Sequence, residues 1–337
     1  MILNNNEEKI MPIGGQAVIE GVMMRSPERI ATAVRRMNGS VEVKIQEYTS
    51  FTQRYKWLNL PILRGAITLI EVMILGIKHL NYSADVAMKD AEENDQKKSA
   101  KKNKKESAIG MSTFTAIVTI TTALLVGLAL FFALPLFITT YLFNIEKNAI
   151  AFNLVTGIIR IIFFVSYIYL ISLLKDVKRL FRYHGAEHKT IYAFESGENL
   201  SVESTRPFTT LHPRCGTSFL VMVMLVSLIF FSILDSVIIL WHGDINLVIR
   251  LITHLPLVIL VGGLSYEAIK ASAKNTSHPL VKILIAPGLA LQRITTQEPD
   301  ESMLEVAIIA LKAARGEEYS HLLKKEVTAD SFIETIS

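Results

Sequence analysis

A single cysteine, Cys215, stands among the 337 residues, so no disulfide can close within the chain. A lone thiol fits a reducing compartment or a metal site. The first residues lack a basic region followed by an apolar run, and no cleavable signal peptide is expected. Gly14-Gly15 and Gly21 bracket a short apolar run, but no phosphate-loop pattern follows them. Tight turns in a strand meander account for these glycines, which also permit close backbone approach. The densest lysine cluster has no interleaved aromatic residue, which disfavours nucleic acid as a partner.

Apolar residues, by contrast, are abundant. Half of the chain is hydrophobic and the mean hydropathy is +0.37, too high for an ordinary soluble protein. The apolar residues fall in blocks long enough to cross a bilayer. The segment 112–143 has no charge and exceeds one span, so a tilt or a bend near Pro135 is expected. The segments 149–174, 216–240 and 247–266 complete four spans. Arg160, Asp235, Arg250 and His254 lie inside them, where charge is costly. They are expected to pair in the bundle interior or to snorkel; a transporter using Arg160 and Arg250 is the weaker alternative.

The remaining chain flanks these spans. Residues 1–58 read as a β-rich unit, because Ile30, Thr32 and Val34 and then Val41, Val43 and Ile45 alternate with smaller or polar residues around the turn Asn38-Gly39. Asn59 and Pro61 open an amphipathic helix over 59–84, with Arg64, Thr68, Glu71 and Lys78 on one stripe. Residues 85–111 read as a charged linker carrying Lys97, Lys98, Lys101, Lys102, Lys104 and Lys105, an anchor near anionic lipid. After the transmembrane region 112–266, the C-terminal part 267–337 is expected to turn at Pro279 and at Pro287-Gly288. A last amphipathic helix then begins near Pro299, its Leu304, Ala307, Ile308 and Leu311 docking on the β unit and Gly316 capping its end. The fold class is therefore an α-helical integral membrane protein of about four spans, with a small cytosolic β-rich N-terminal unit and a C-terminal amphipathic helix.

Basic residues set the orientation. Lys175, Lys178, Arg179, Arg182, Lys189, Arg206 and Arg214 occupy the loop 175–215, whereas the two short opposite loops offer only Lys147. The positive-inside rule places this loop and both termini in the cytoplasm.

Chemistry concentrates in the stretch 183–218, which holds three of the eight histidines and the only cysteine. In His184-Gly-Ala-Glu187-His188 the two histidines are four apart, so on a helix both imidazoles share a face. This H-x-x-E-H order is that of the inverted zinc-hydrolase motif, with the acid as general base. His212-Pro-Arg-Cys215 adds two further donors. His184, His188, His212 and Cys215 are thus candidate ligands of zinc or another divalent transition metal, with Glu187 as the base. Glu267 is a further candidate ligand or a partner for a histidine N–H.

Three readings stay open. Three donors and an open position would make a hydrolase of esters, amides or phosphoesters. Four donors would make a structural zinc in a membrane adaptor with a membrane or cytosolic protein partner. Without metal, the same histidines and neighbouring Arg182, Lys189 and Arg214 would meet carboxylates or lipid phosphate. Besides the lipid bilayer, no partner is identified, and the oligomeric state is open.

Four stretches carry a family resemblance: GGQAVIEGVMMR at 14–25, RYHGAEHKTI at 182–191, HPRCGTSF at 212–219 and APGLALQRITTQEPD at 286–300. Together they resemble the YqhQ-like bacterial membrane proteins of unknown function, often labelled predicted metal-dependent enzymes. The resemblance implies a multi-pass protein of the bacterial cytoplasmic membrane and no particular substrate.

Overall fold

The computed structural model describes residues 13–98, 113–272 and 278–323. Four strands, β1 (Gly14–Val18), β2 (Gly21–Arg25), β3 (Arg29–Arg35) and β4 (Val41–Glu47), form an antiparallel meander in the order β1-β2-β3-β4. Asn38-Gly39 makes the β3–β4 turn, with Gly39 at φ 86°. The first hairpin turns at Ile19-Glu20, where Glu20 takes φ 54° without being glycine. Its carboxylate is held in place by the Arg179 guanidinium, whose Nη2 donates to Oε2 at 2.5 Å.

After the one-turn helix α1 (Phe51–Arg54), α2 (Leu63–Lys98) runs far beyond the expected end at residue 84. The first part of the predicted linker is therefore helix, while Lys101, Lys102, Lys104 and Lys105 lie outside the described residues. Tertiary contacts override the charged composition here: Val86 is buried against the sheet, and Asp90 accepts from Arg36 Nε and Met37 N, each at 2.7 Å. Several polar residues of α2 turn inward. Glu71, His79 and Ser83 are buried, while Ile70, Val72, Met73, Ile74 and Ile77 are exposed.

Among the described residues, four helical stretches are long and apolar enough to cross a bilayer: Thr121–Phe143, Ala149–Ser172, Gly216–His242 and Leu247–Ser272. The first is α3 (Thr113–Leu128) and α4 (Leu134–Phe143), joined by a π-helical turn over Ala129–Ala133. That turn lies just before Pro135, which has no N–H for the preceding turn, so the wider turn absorbs the mismatch where a bend was expected. The second is α5 (Ala149–Ser172). It leads into α6 (Lys175–Glu195) and the short α7 (Val202–Thr205) before the third and fourth, α8 (Gly216–His242) and α9 (Leu247–Ser272). Between α5, α8 and α9, Asp235 accepts from Arg250 Nε at 2.9 Å and from Asn153 Nδ2 at 2.8 Å, and sits 2.8 Å from His254 Nε2. Asp235, Arg250 and His254 are thus buried and paired in the bundle interior, as expected, whereas Arg160 pairs with no acid among the described residues and lies over the Phe132 ring at 5.1 Å.

The C-terminal part differs from expectation at two points. First, α10 (Pro279–Thr295) passes straight through Pro287 with no turn at Pro287-Gly288. Proline 287 lies on the exposed side, and Gly288 lets α10 press onto α8, where a β-carbon would meet Ser218 at 2.8 Å or less. Second, α11 (Glu301–Arg315) is not amphipathic in place. Asp300 caps its start, Gly316 at φ 74° ends it, and ten of its side chains are buried. The sheet covers one side through Val22, Met24, Ala31 and Ala33, and α6 covers another through Tyr183 and Ala186. Leu304, Ile308, Ile309 and Leu311 are at most 2% exposed, each contributing about 1.5–3 kcal/mol relative to exposure. The opposite face of the sheet packs on α2 through Val18, Met23, Ile30 and Val34. Helix α6 thus lies between the sheet layer and the ends of α5, α8 and α10.

Candidate metal centre

Helix α6 begins in charged residues and becomes buried from Tyr183 onward, so its second half projects polar side chains into a packed environment. Unpaired, those groups would be costly. His184 Nδ1 lies 2.8 Å from the carbonyl of Thr295, and His188 Nδ1 contacts the carbonyl of Thr210. A carbonyl only accepts, so both rings carry their proton on Nδ1 and keep a lone pair on Nε2. Such a fixed tautomer is what a metal-ligating histidine requires.

The two Nε2 atoms face Cys215, the N-cap of α8, at the end where the helix dipole favours negative charge. His184 Nε2 is 3.2 Å from Cys215 Sγ, and donor atoms of His184, His188 and Cys215 all lie within 4.8 Å of one another. Two imidazoles and one sulfur suit zinc or a related transition metal. Glu187 completes the cluster: Oε2 lies 3.8 Å from His184 Nε2 and 3.7 Å from His188 Nε2. Burial pushes its carboxyl above the usual carboxylate range, opposed by His184 and His212. Burial likewise pushes the His188 imidazole down, with Cys215 opposing.

His212 stands beside this group and outside it. Its Nδ1 accepts from the Arg214 N–H at 3.3 Å, and its Nε2 turns toward Glu195, 3.7 Å away. Its ring sits between Tyr192 and His188, at centroid distances of 4.7 and 5.6 Å. Burial lowers its pKa, with Glu187 opposing. The expected four-donor set is therefore three donors plus a neighbour. Glu267 is engaged elsewhere: Arg64 Nε and Nη2 bind its two oxygens at 2.6 and 2.5 Å, tying α2 to α9.

Several residues that build the centre escaped the sequence reading. Gln292 on α10 accepts from the His212 N–H at 2.7 Å, donates to its carbonyl at 2.8 Å and reaches Ser218 Oγ at 2.7 Å. Gly185 lets the extended segment after α10 cross α6, since a β-carbon there would lie 2.0 Å from the Gln297 carbonyl. Gly15 of β1 lies against Glu187, where a β-carbon would meet Oε1 at 2.6 Å. The Gly14-Gly15 pair, noted for close backbone approach, was the one available signal. The main-chain carbonyls of Thr210 and Thr295 carry none, because any residue type supplies a carbonyl.

All four resemblance stretches thus meet here: 14–25 at Glu187, 182–191 as the donor helix, 212–219 with Cys215 and His212, and 286–300 with Gln292 and Thr295. A family model described as "Protein of unknown function (DUF1385)" matches residues 60–317. The chain is also 31% identical over 329 residues, 96% of each chain, to a protein of Bacillus subtilis (strain 168) named "Uncharacterized protein YqhQ". No solved structure matches.

Proposed function

The chain belongs to the DUF1385 family of proteins of unknown function, and from its geometry we propose that it is a metal-dependent hydrolase at the cytoplasmic face of a bacterial inner membrane. The observation that carries this reading is one carboxylate, Glu187, held beside three convergent donors, two of them histidines whose tautomers are fixed by main-chain carbonyls.

His184, His188 and Cys215 would hold the ion, most simply zinc. When bound, it supplies Lewis-acid polarisation of a water or of the scissile group. Glu187 takes a proton from the attacking water as its oxygen bonds to the acyl or phosphoryl centre. The same carboxyl then returns the proton to the leaving group as the scissile bond breaks. Thr210 and Thr295 keep both imidazoles aimed, and Gly15 leaves the carboxylate its room.

The four apolar helices cross the membrane, with both termini and residues 175–215 on the cytoplasmic side. The seven basic residues in that loop against Lys147 opposite support this orientation. The outward apolar faces of α2 and of α10, where Leu280 and Ile283 are exposed, then rest against lipid.

A second reading, a non-catalytic adaptor with a structural metal, is favoured by the burial of His188 and Cys215. The test is a hydrolysis screen of detergent-purified protein on fluorogenic esters, phosphoesters and peptides, beside Glu187→Gln with its metal content measured. Loss of turnover by about 100-fold or more at unchanged metal supports the hydrolase. Equal turnover in the variant, or none in either protein with metal present, leaves the adaptor.

A further inference from the structure

The hydrolase reading leaves its substrate open, and the depth of the centre narrows it. Helices α5 and α8 run antiparallel: Asn153 Nδ2 donates to Asp235 at 2.8 Å, and a β-carbon on Gly157 would meet Leu228 at 3.0 Å. Both helices rise by the same step per residue. Counting equally along each from the Gly157–Leu228 contact brings Leu170 level with Cys215. Leu170, Leu173 and Leu174 are 62, 63 and 58% exposed, and the next charged residue is Lys175. Cys215 therefore lies at the level of the last apolar side chains of α5. Helix α10 repeats the pattern on another side. Leu280 and Ile283 are exposed on one face, while the other lays Gln292 on His212 and the Thr295 carbonyl on His184.

A bilayer's hydrocarbon core is about 30 Å thick within about 40–45 Å overall, so each headgroup layer spans about 5–7 Å. With the four spans in the membrane, the centre lies at the inner edge of that layer, where the acyl esters of glycerolipids sit. It also opens there. Gly216, directly after Cys215, is exposed, and a β-carbon on it would meet nothing within 4 Å. Leu220, one turn further along α8, is exposed as well. Resting on the hydrolase reading, we infer that the substrate is a glycerolipid of the surrounding bilayer, which moves sideways past Gly216 and is cleaved at an acyl ester. A peptide or nucleotide dissolved in water would have to cross the headgroup layer to reach the same atoms, whereas the lipid ester is already level with them. Water adds its oxygen to the ester carbonyl carbon as Glu187 takes its proton. The C–O bond to glycerol then breaks, the proton passes to the glycerol oxygen, and a fatty acid and a lysolipid leave.

Two measurements on full-length, metal-loaded protein in phosphatidylglycerol vesicles test this. The first reads depth without turnover. A bimane on Gly216→Cys, with Cys215 buried in the centre, should be quenched most by lipid carrying a nitroxide near the start of its acyl chain and little by aqueous iodide. The second reads fatty acid released from the vesicles. Release should fall at least about 100-fold in Glu187→Gln. In Gly216→Leu, whose larger side chain fills the opening, it should fall at least about tenfold at unchanged metal content. Quenching by iodide in place of lipid overturns the inference, whatever soluble esters the protein cleaves. Turnover of soluble esters or peptides with the vesicle lipid intact also overturns it and leaves the hydrolase standing. Release of headgroup phosphate without fatty acid overturns it in favour of a phosphoester. Equal release by Gly216→Leu overturns the sideways entry. Quenching by lipid with no hydrolysis of any probe upholds the depth of the centre while the hydrolase reading fails.

Discussion

Glu187 lies against Gly15 so closely that a single methyl group has no place between them: the β-carbon would stand 2.6 Å from Oε1 and 2.9 Å from Cδ. Gly15→Ala should therefore displace the carboxylate and leave the three metal donors alone. Overpacking of this kind costs about 1–3 kcal/mol. The expected outcome is a modest loss of thermal stability, full metal content and hydrolysis lowered at least about tenfold. Unchanged turnover in a folded Gly15→Ala protein would separate Glu187 from the chemistry.

Metal content distinguishes three donors from four. His188→Ala and Cys215→Ser should each lose the ion on purification without chelator, whereas His212→Ala should retain it, because His212 Nε2 faces Glu195. Elemental mass spectrometry on the three variants beside the wild type is the measurement. Loss of metal in His212→Ala would restore the four-donor site.

The buried group Asp235, Arg250 and His254 should matter for stability and little for the metal centre. Removing one partner of a buried ion pair costs about 3–5 kcal/mol. Asp235→Ala should lower the melting temperature in detergent strongly, while metal content in the folded fraction stays at the wild-type value. A variant that melts normally but loses function would revive the transporter reading.

His79 supplies a pH dependence away from the centre. It lies on α2 with Nδ1 2.7 Å from Thr32 Oγ1, and burial, with Lys78 and Lys44 nearby, lowers its pKa from 6.5 to about 4. A depressed histidine binds its proton in the unfolded chain first. Its share of stability is thus complete above about pH 6.5 and lost as pH falls toward 4. Hydrogen-exchange protection at the α2–sheet contact, taken relative to the intrinsic rate at each pH, should fall between pH 7 and pH 5. His79→Leu should remove that slope, and a slope retained in this variant would assign it to another group.

Local rules made much of this protein readable. The apolar blocks are long enough to cross a bilayer, and the Asn38-Gly39 turn and the Gly316 cap follow from backbone preferences. The His184–His188 spacing follows from the helical period. Distance-dependent facts were not readable. Asp90 extends α2 into a stretch of linker composition because Arg36 waits for it on the sheet. Pro287 stays in a helix because its side is open. Helix α11, whose pattern suggested one apolar face, is enclosed from two directions by elements remote in sequence.

The same division runs through the candidate centre. Sequence alone determined which residue types bear chemistry and that they cluster between the long apolar segments, since spacing along one helix or one loop is a local property. Tertiary structure decided that His212 and Glu267 face other partners. It also set the Nδ1 protons by two main-chain carbonyls and laid a glycine strand against Glu187. Several of those choices, Glu267 with Arg64, His184 with Thr295 and Gly15 with Glu187, join segments more than a hundred residues apart, where no local preference reaches and packing alone selects the neighbour.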